Sequence, residues 1–300
     1  MENQKLECVH PGICHLGEGP LWNVRQKKLY WTDIYNKVIW EYDPAAGESR
    51  LFWKGDLQVG GFAFTRSDDV VLCTDRGIYL LRVDSQGKPA AEPELLYRIP
   101  MKENEMFNDI TVDPEGRIFA GTILRPDMSG GTLYRIEKGK APVVVLTGLG
   151  CSNGMTFSLD EKYFFHTDSG PKRITKYSYD RKTGEISQPE VYFQAAGGMG
   201  SPDGITMDGE GSIWAAFWGG SCVRRIDPSG SICAEVQLPA KQPSSVMFGG
   251  PALDQLYITS ACENAEDLAG GYFADGTFAG GPLYRYNAGI KGREEGLADF

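Results

Sequence analysis

The chain alternates short runs of apolar, aromatic and β-branched residues with clusters of Gly, Pro, Asn and Asp, and it holds no helix-length amphipathic run. Runs of this kind predict β-strands. They group into six units. The first has runs at 18–22, 28–33 and 37–43, the second at 60–64, 70–75 and 77–81, and the third at 108–112, 116–122 and 131–136. The fourth has them at 153–157, 162–168 and 173–180, the fifth at 203–207, 211–216 and 222–227, and the sixth at 244–248, 255–259 and 281–286. Each unit reads as an apolar strand, a turn, an aromatic-rich strand, a loop and an alternating strand. Further runs at 94–97, 143–146, 190–193 and 234–238 give units two to five a fourth strand. Turn chemistry falls between the runs, as in Asp113-Pro114-Glu115-Gly116 and Asp208-Gly209-Glu210-Gly211.

A repeat of roughly 40–50 residues is the range of propeller blades. Six four-stranded units predict an all-β chain that forms one domain over residues 1–300, a six-bladed β-propeller, because radial repetition leaves only short sheet edges exposed. The sixth unit ends near Tyr286 without a fourth strand, and residues 6–9 can supply it, joining the two ends of the chain. A linear stack of units is the alternative. It would need polar capping units, which the sequence does not show.

Composition narrows the partners. The formal net charge of −10 argues against nucleic acid and anionic membrane. The seven cysteines are odd in number, scattered and without a C-x-x-C pair, so they read as small apolar strand residues rather than disulfides or zinc ligands. Residues 1–7 lack a basic segment followed by an apolar core, and no run is long enough to span a bilayer, so the expected compartment is the cytoplasm.

In a propeller the first strand of each blade lines the central channel. The six units put Glu18, Gly60, Asn108, Asn153, Asp203 and Ser244 at its start, give or take a residue. Two carboxylates and two amides then converge on one axis. Like charges facing each other in a dry channel repel, and a divalent cation relieves that repulsion. Oxygen donors with two negative charges suit calcium or magnesium better than zinc. Any one of these residues beside Gly is ordinary turn chemistry. Their shared register is what predicts a central metal site. The Thr-Asp pairs at 32–33, 74–75 and 167–168 read as structural locks, and Asp113, Asp160 and Asp208 as turn formers at the opposite face. His166 is either a structural polar group or a pocket residue. Trp218 and Glu263 read as pocket lining, with loops 123–130 and 263–280 shaping the entrance. Ser152, Ser201, Ser244 and Ser245 have no evident His and Asp partners, and G-x-S-x-G is absent, so no covalent nucleophile is expected.

Leu16-Gly17-Glu18-Gly19-Pro20, Phe107-Asn108-Asp109, Asp113-Pro114-Glu115-Gly116-Arg117, Ser152-Asn153-Gly154, Pro202-Asp203-Gly204 and Phe248-Gly249-Gly250 occur in this order. The chain resembles, over nearly its whole length, the regucalcin/gluconolactonase family of metal-dependent sugar lactonases. The resemblance implies a six-bladed propeller, in agreement with the unit count. It implies that Glu18, Asn153 and Asp203 ligate a divalent ion, Ca2+ first and Zn2+, Mg2+, Mn2+ or Fe2+ as alternatives. It also implies that Asp203 doubles as the base and that Asn108 contacts substrate. Met106 stands where the family often carries an Arg that binds sugar hydroxyls, and Arg125 from the following loop is the candidate replacement.

The expected reaction is opening of a lactone ring, a sugar lactone first, to the hydroxy acid. The cation polarises the carbonyl, Asp203 takes a proton from water and Asn108 donates a hydrogen bond to the developing oxyanion. Two alternatives stay open: another metal-assisted ester or phosphotriester hydrolysis with an apolar pocket around Met106, Phe217 and Trp218, and a calcium-binding module without turnover. The expected partner is a small molecule, and the expected state is a monomer or small homo-oligomer.

Overall fold

The computed structural model describes residues 5–300, so the part of the N-terminal reading that rests on residues 1–4 lies outside the described residues. The strands form six four-stranded antiparallel sheets among the described residues, five of them meanders in chain order and the sixth completed by the N-terminal strand. They are the blades of a six-bladed β-propeller. No helix among the described residues is long and apolar enough to cross a membrane.

The chain divides into two compact units, Met1–Lys54 with Phe193–Glu294, and Gly55–Tyr192 with Glu295–Phe300. The first unit holds blade 1 (first strand Gly17–Asn23), blade 5 (Ser201–Met207) and blade 6 (Pro243–Gly249). The second holds blade 2 (Val59–Phe64), blade 3 (Glu105–Val112) and blade 4 (Ser152–Phe157). Burial falls from first strand to last. In blade 4 every residue of Ser152–Phe157 is buried, whereas Glu185–Gln194 is mostly exposed. Cores lie in the seams between neighbouring blades. Phe119, Phe157, Phe164 and Tyr179 fill the seam of blades 3 and 4, and Trp214, Val246, Phe248 and Leu256 that of blades 5 and 6. Each such side chain contributes about 1.5–3 kcal/mol by leaving water.

The N-terminal strand closes blade 6 as expected. Leu6–His10 pairs antiparallel with Leu283–Asn287, Leu6 opposite Tyr286 and Cys8 opposite Tyr284. Glu7 adds an ion pair to Arg285 at 2.6 Å. Blade 1 has a fourth strand, Glu48–Lys54, that the pattern does not predict, because its residues are mostly wet and alternate poorly. All seven cysteines are free thiols, and Cys14, Cys151 and Cys262 lie outside the strands rather than within them.

The Thr-Asp pairs act as locks on the segment that enters each first strand. Asp33 accepts the N–H groups of His15 and Leu16, both at 3.1 Å, Asp75 that of Gln58 at 3.0 Å, and Asp168 those of Gly150 and Cys151 at 3.1 and 3.0 Å. The turn formers behave likewise. Asp113 accepts the N–H groups of Glu115 and Arg117, and Asp208 those of Glu210 and Ser212. Asp160 accepts the Ser158 hydroxyl at 2.7 Å.

Candidate active site

All six first strands carry a β-bulge near their start. In blade 1 Glu18 faces Thr32 while Leu21 faces Tyr30, a step of three residues against two. Blades 5 and 6 slip by the same amount between Pro202 and Ile205 and between Pro243 and Val246. Blades 2, 3 and 4 slip between Val59 and Gly61, Phe107 and Asp109, and Asn153 and Met155. A bulge re-aims the side chains beside it and ends regular pairing. The expected register therefore resolves into two adjacent positions. Glu18 and Asn153 are the last paired residues before the slip, opposite Thr32 and Thr167, and Gly60, Asn108, Asp203 and Ser244 lie inside it.

In the first unit Glu18 and Asp203 flank the start of blade 6. Ser244 Oγ donates to the Gly17 carbonyl at 2.5 Å, one residue before Glu18. A Cβ on Gly204, the residue after Asp203, would lie 2.0 Å from Ser245 Oγ, so only glycine lets these strands approach. Both acids are buried, Glu18 at 7% and Asp203 at 4% exposure. Glu18 Oε2 accepts the Gly19 N–H at 3.2 Å. Trp218 is half-buried at the end of its strand, opposite Ser201, beside Phe217, whose ring lies 4.3 Å from the Arg224 guanidinium. Arg224 also bonds Glu235 at 2.6 Å and the Met199 carbonyl at 2.9 Å, which ties the loop before Asp203 to the outer strands. Glu263 accepts the Tyr35 hydroxyl at 2.7 Å.

In the second unit Asn108 and Asn153 come together around Cys151. Asn108 Nδ2 donates to the Ser152 carbonyl at 3.0 Å and lies 3.6 Å from Cys151 Sγ. Asn153 Nδ2 donates to Ser169 Oγ at 3.1 Å and lies 3.7 Å from the same sulfur. Asn153 Oδ1 is buried and receives no hydrogen bond among the described residues. A buried amide oxygen in that state carries a desolvation penalty that a cation would offset. Because the Asn108 nitrogen is directed at Ser152 and Cys151, its oxygen, an acceptor, is the end those two contacts leave.

Met106 is buried opposite Ile123, and Arg125 is half-buried just past the end of the strand that carries Ile123. His166 is fully buried inside blade 4, opposite Met155, with Nε2 2.8 Å from Ser152 Oγ. Burial pushes its imidazole down to about 4, so it is neutral at physiological pH. Ser152 thus has the histidine partner that the sequence reading denied it. The pair makes no triad, since the Asp168 carboxylate is bound by the amides of Gly150, Cys151 and Gly170. Asp109, beside Asn108, is also buried; its Oδ1 accepts the Ile110 N–H at 2.7 Å, and burial pushes its carboxyl up to about 7. Cys151, Asp109, Tyr35 and Gln242 escaped the sequence reading. The one available signal was proximity, each lying within two residues of the first-strand register or of the Thr-Asp locks.

Among the described residues no three His, Cys, Asp or Glu side chains gather to hold a metal. The expected donor set contains only two of those types, Glu18 and Asp203, with the amide of Asn153. A cavity of about 540 Å3 in the second unit, lined by Arg82, Tyr97 and Lys138 among others, includes none of the expected site residues.

The fold and these donors define a class: a β-propeller whose bulged first strands carry buried carboxylates and amides beside or inside the bulge. The chain belongs to the SMP-30/gluconolactonase/LRE-like family, whose model matches residues 16–262. It is 34% identical over 286 residues to the pentonolactonase XacC of Haloferax volcanii, covering 95% of each chain. It is 35% identical over 271 residues to a 6-deoxy-6-sulfogluconolactonase of Pseudomonas putida, covering 89% of this chain and 91% of that one. Among solved structures it resembles a calcium-binding regucalcin of Agrobacterium tumefaciens with a TM-score of 0.90 at 25% identity, over 99% of this chain and 98% of the other.

Proposed function

We propose that this protein is a divalent-metal-dependent lactonase that opens a sugar lactone to its hydroxy acid, with residues 1–300 working as one domain. Kinship with two sugar lactonases at 34% and 35% identity supports the reaction. The observation that carries the metal is the buried, unsatisfied Oδ1 of Asn153. Glu18, Asn153 and Asp203 would hold the ion. Their three oxygen-bearing groups, with two negative charges, suit a hard cation, Ca2+ first. A divalent cation in such a site supplies Lewis acidity towards a carbonyl oxygen and makes water easier to deprotonate.

The remaining steps belong to the protein. Asp203 removes a proton from the attacking water as it adds to the lactone carbonyl. The ester C–O bond breaks, the proton passes to the departing ring oxygen, and the hydroxy acid leaves. Asn108 accepts a substrate hydroxyl through Oδ1. Arg125, Trp218 and Glu263 line the pocket, and His166 stiffens it from behind through Ser152. The buried Met106 makes one wall apolar, which favours a second reading, hydrolysis of a less hydroxylated ester or an aryl phosphotriester. The acidic net charge of −10 supports a small-molecule partner rather than nucleic acid or an anionic membrane. The protein would work in the cytoplasm, as a monomer or small homo-oligomer.

The test strips the protein with chelator, reloads it with Ca2+, Mg2+, Mn2+ or Zn2+, and assays five- and six-carbon aldonolactones, an aliphatic lactone and an aryl phosphotriester. Metal-restored opening of a sugar lactone, abolished in Asp203→Ala with an unchanged circular dichroism spectrum, is the expected result. Full activity in Asp203→Ala with metal retained would overturn the role of that residue. Saturable metal binding with no turnover of any substrate would leave a binding module.

A further inference from the structure

Gln242 directly precedes the first strand of blade 6 and is 6% exposed. Its Nε2 donates to the main-chain carbonyl of Glu263 at 3.1 Å, which settles which end of the amide is nitrogen. Its Oε1 is buried and receives no hydrogen bond among the described residues. The Glu263 side chain accepts the Tyr35 hydroxyl at 2.7 Å, and the Tyr35 ring lies 4.8 Å from that of His15. Main-chain bonds hold the corner in place: Gln242 N–H to the Ala279 carbonyl at 2.8 Å, Ala261 N–H to the Gln242 carbonyl at 3.0 Å, and Cys262 N–H to the His15 carbonyl at 3.1 Å. All these residues lie in the first unit. Two residues after Gln242, Ser244 bonds the carbonyl of Gly17, which precedes Glu18. The corner is therefore built onto the same strand start that sits against Glu18.

We propose that His15, Tyr35, Gln242 and Glu263 form the subsite that reads the hydroxyl groups of the substrate; the sugar-lactone reading above supplies the substrate class. Gln242 Oε1 is an acceptor held in place with nothing to accept, and a hydroxyl is the donor that fits it. The Glu263 carboxylate, held by the Tyr35 hydroxyl, adds a second acceptor group to this corner. Tyr35, packed on His15, keeps that carboxylate in one rotamer. A site built to bond hydroxyls rejects a ligand without them, because its own polar groups are then left buried and unpaired.

The test uses the full-length, metal-loaded protein with Gln242→Met and Glu263→Gln. Two substrates share one ring, L-arabinono-1,4-lactone with hydroxyls and γ-butyrolactone without. Ribitol, a polyol that cannot be hydrolysed, reports binding by calorimetry. The preference for the hydroxylated lactone in kcat/KM falls about 10- to 100-fold in each variant, mostly through KM, and ribitol affinity falls about tenfold. An unchanged preference, or ribitol binding equally well to wild type and variants, overturns the subsite, as does no ribitol binding to wild type. Weakened ribitol binding with neither lactone opened by wild type keeps the subsite and discards the lactonase reading. Circular dichroism and melting curves confirm that the variants are folded.

Discussion

Replacing Asp109 with Asn is expected to stabilise the protein at alkaline pH and to do progressively less as the pH falls. Asp109 is 9% exposed, and its carboxylate receives the neighbouring Ile110 N–H, a bond too weak to offset the loss of water. Desolvation is the main cause of its raised pKa, and the Glu295 carboxylate adds to it by repulsion. The folded value of about 7 stands against 3.8 for the ordinary group, a gap of about three units. Each unit is worth 1.36 kcal/mol, so the charged carboxylate costs the fold up to about 4 kcal/mol above pH 7. The sign follows from proton uptake. Between pH 4 and 7 the native state binds the proton more tightly than the unfolded chain, so stability is fully present below pH 4 and is lost as the pH rises through 7.

Asn has the shape of Asp, keeps an oxygen for Ile110 and never ionises. With EDTA present to keep cations away, Asp109→Asn should exceed wild type by about 2–4 kcal/mol at pH 8, or roughly 4–8 °C in Tm, with the gap closing towards pH 4. Urea unfolding at pH 5, 6, 7 and 8 supplies the comparison. Glu295→Gln should shrink the gap by removing the repulsion. Curves for wild type and Asp109→Asn that stay parallel from pH 5 to 8 would refute the reasoning, since a difference independent of pH cannot come from ionisation.

Three further outcomes follow from the packing. Gly204→Ala places a Cβ 2.0 Å from Ser245 Oγ and 2.6 Å from its Cα, so it should cost about 1–3 kcal/mol in urea unfolding and lower metal affinity by shifting Asp203. Removing residues 1–10 strips the last strand from blade 6 and bares the edge Leu283–Asn287; light scattering should show concentration-dependent association that the full chain lacks. Cys151→Val withdraws the sulfur that both amides share, and calorimetric titration with Ca2+ should show affinity lower by about tenfold, with Cys151→Ser nearer to wild type.

The parts of this molecule that are local in sequence were legible before any coordinates. Strand periodicity marks the blades because alternate side chains face alternate sides. Thr167-Asp168 is readable as a lock because the amides it holds, those of Gly150 and Cys151, lead into the strand that pairs with its own. Even the closing strand at residues 6–9 could be placed by counting, as one blade was a strand short. The bulges were not readable, because an inserted residue is defined only against its partner strand. Asn153 opposite Thr167 and Met155 opposite His166 look regular on either strand alone.

That single slip decides the chemistry. It separates Glu18 and Asn153, paired beside the slip, from Asn108, Asp203 and Ser244, inside it, so residues that look equivalent along the chain differ in register by one position. The sense of each amide was equally hidden. Nothing in Phe107-Asn108-Asp109 reveals that the Asn108 nitrogen is turned to the Ser152 carbonyl of the next blade, and that bond makes the residue an acceptor. Gln242 is the same case. Its nitrogen is occupied by a carbonyl 21 residues away, which leaves its oxygen as the group on offer. In this fold the choice of residue type at the strand starts is written along the chain, while the direction in which each one acts is set by the strand or loop beside it.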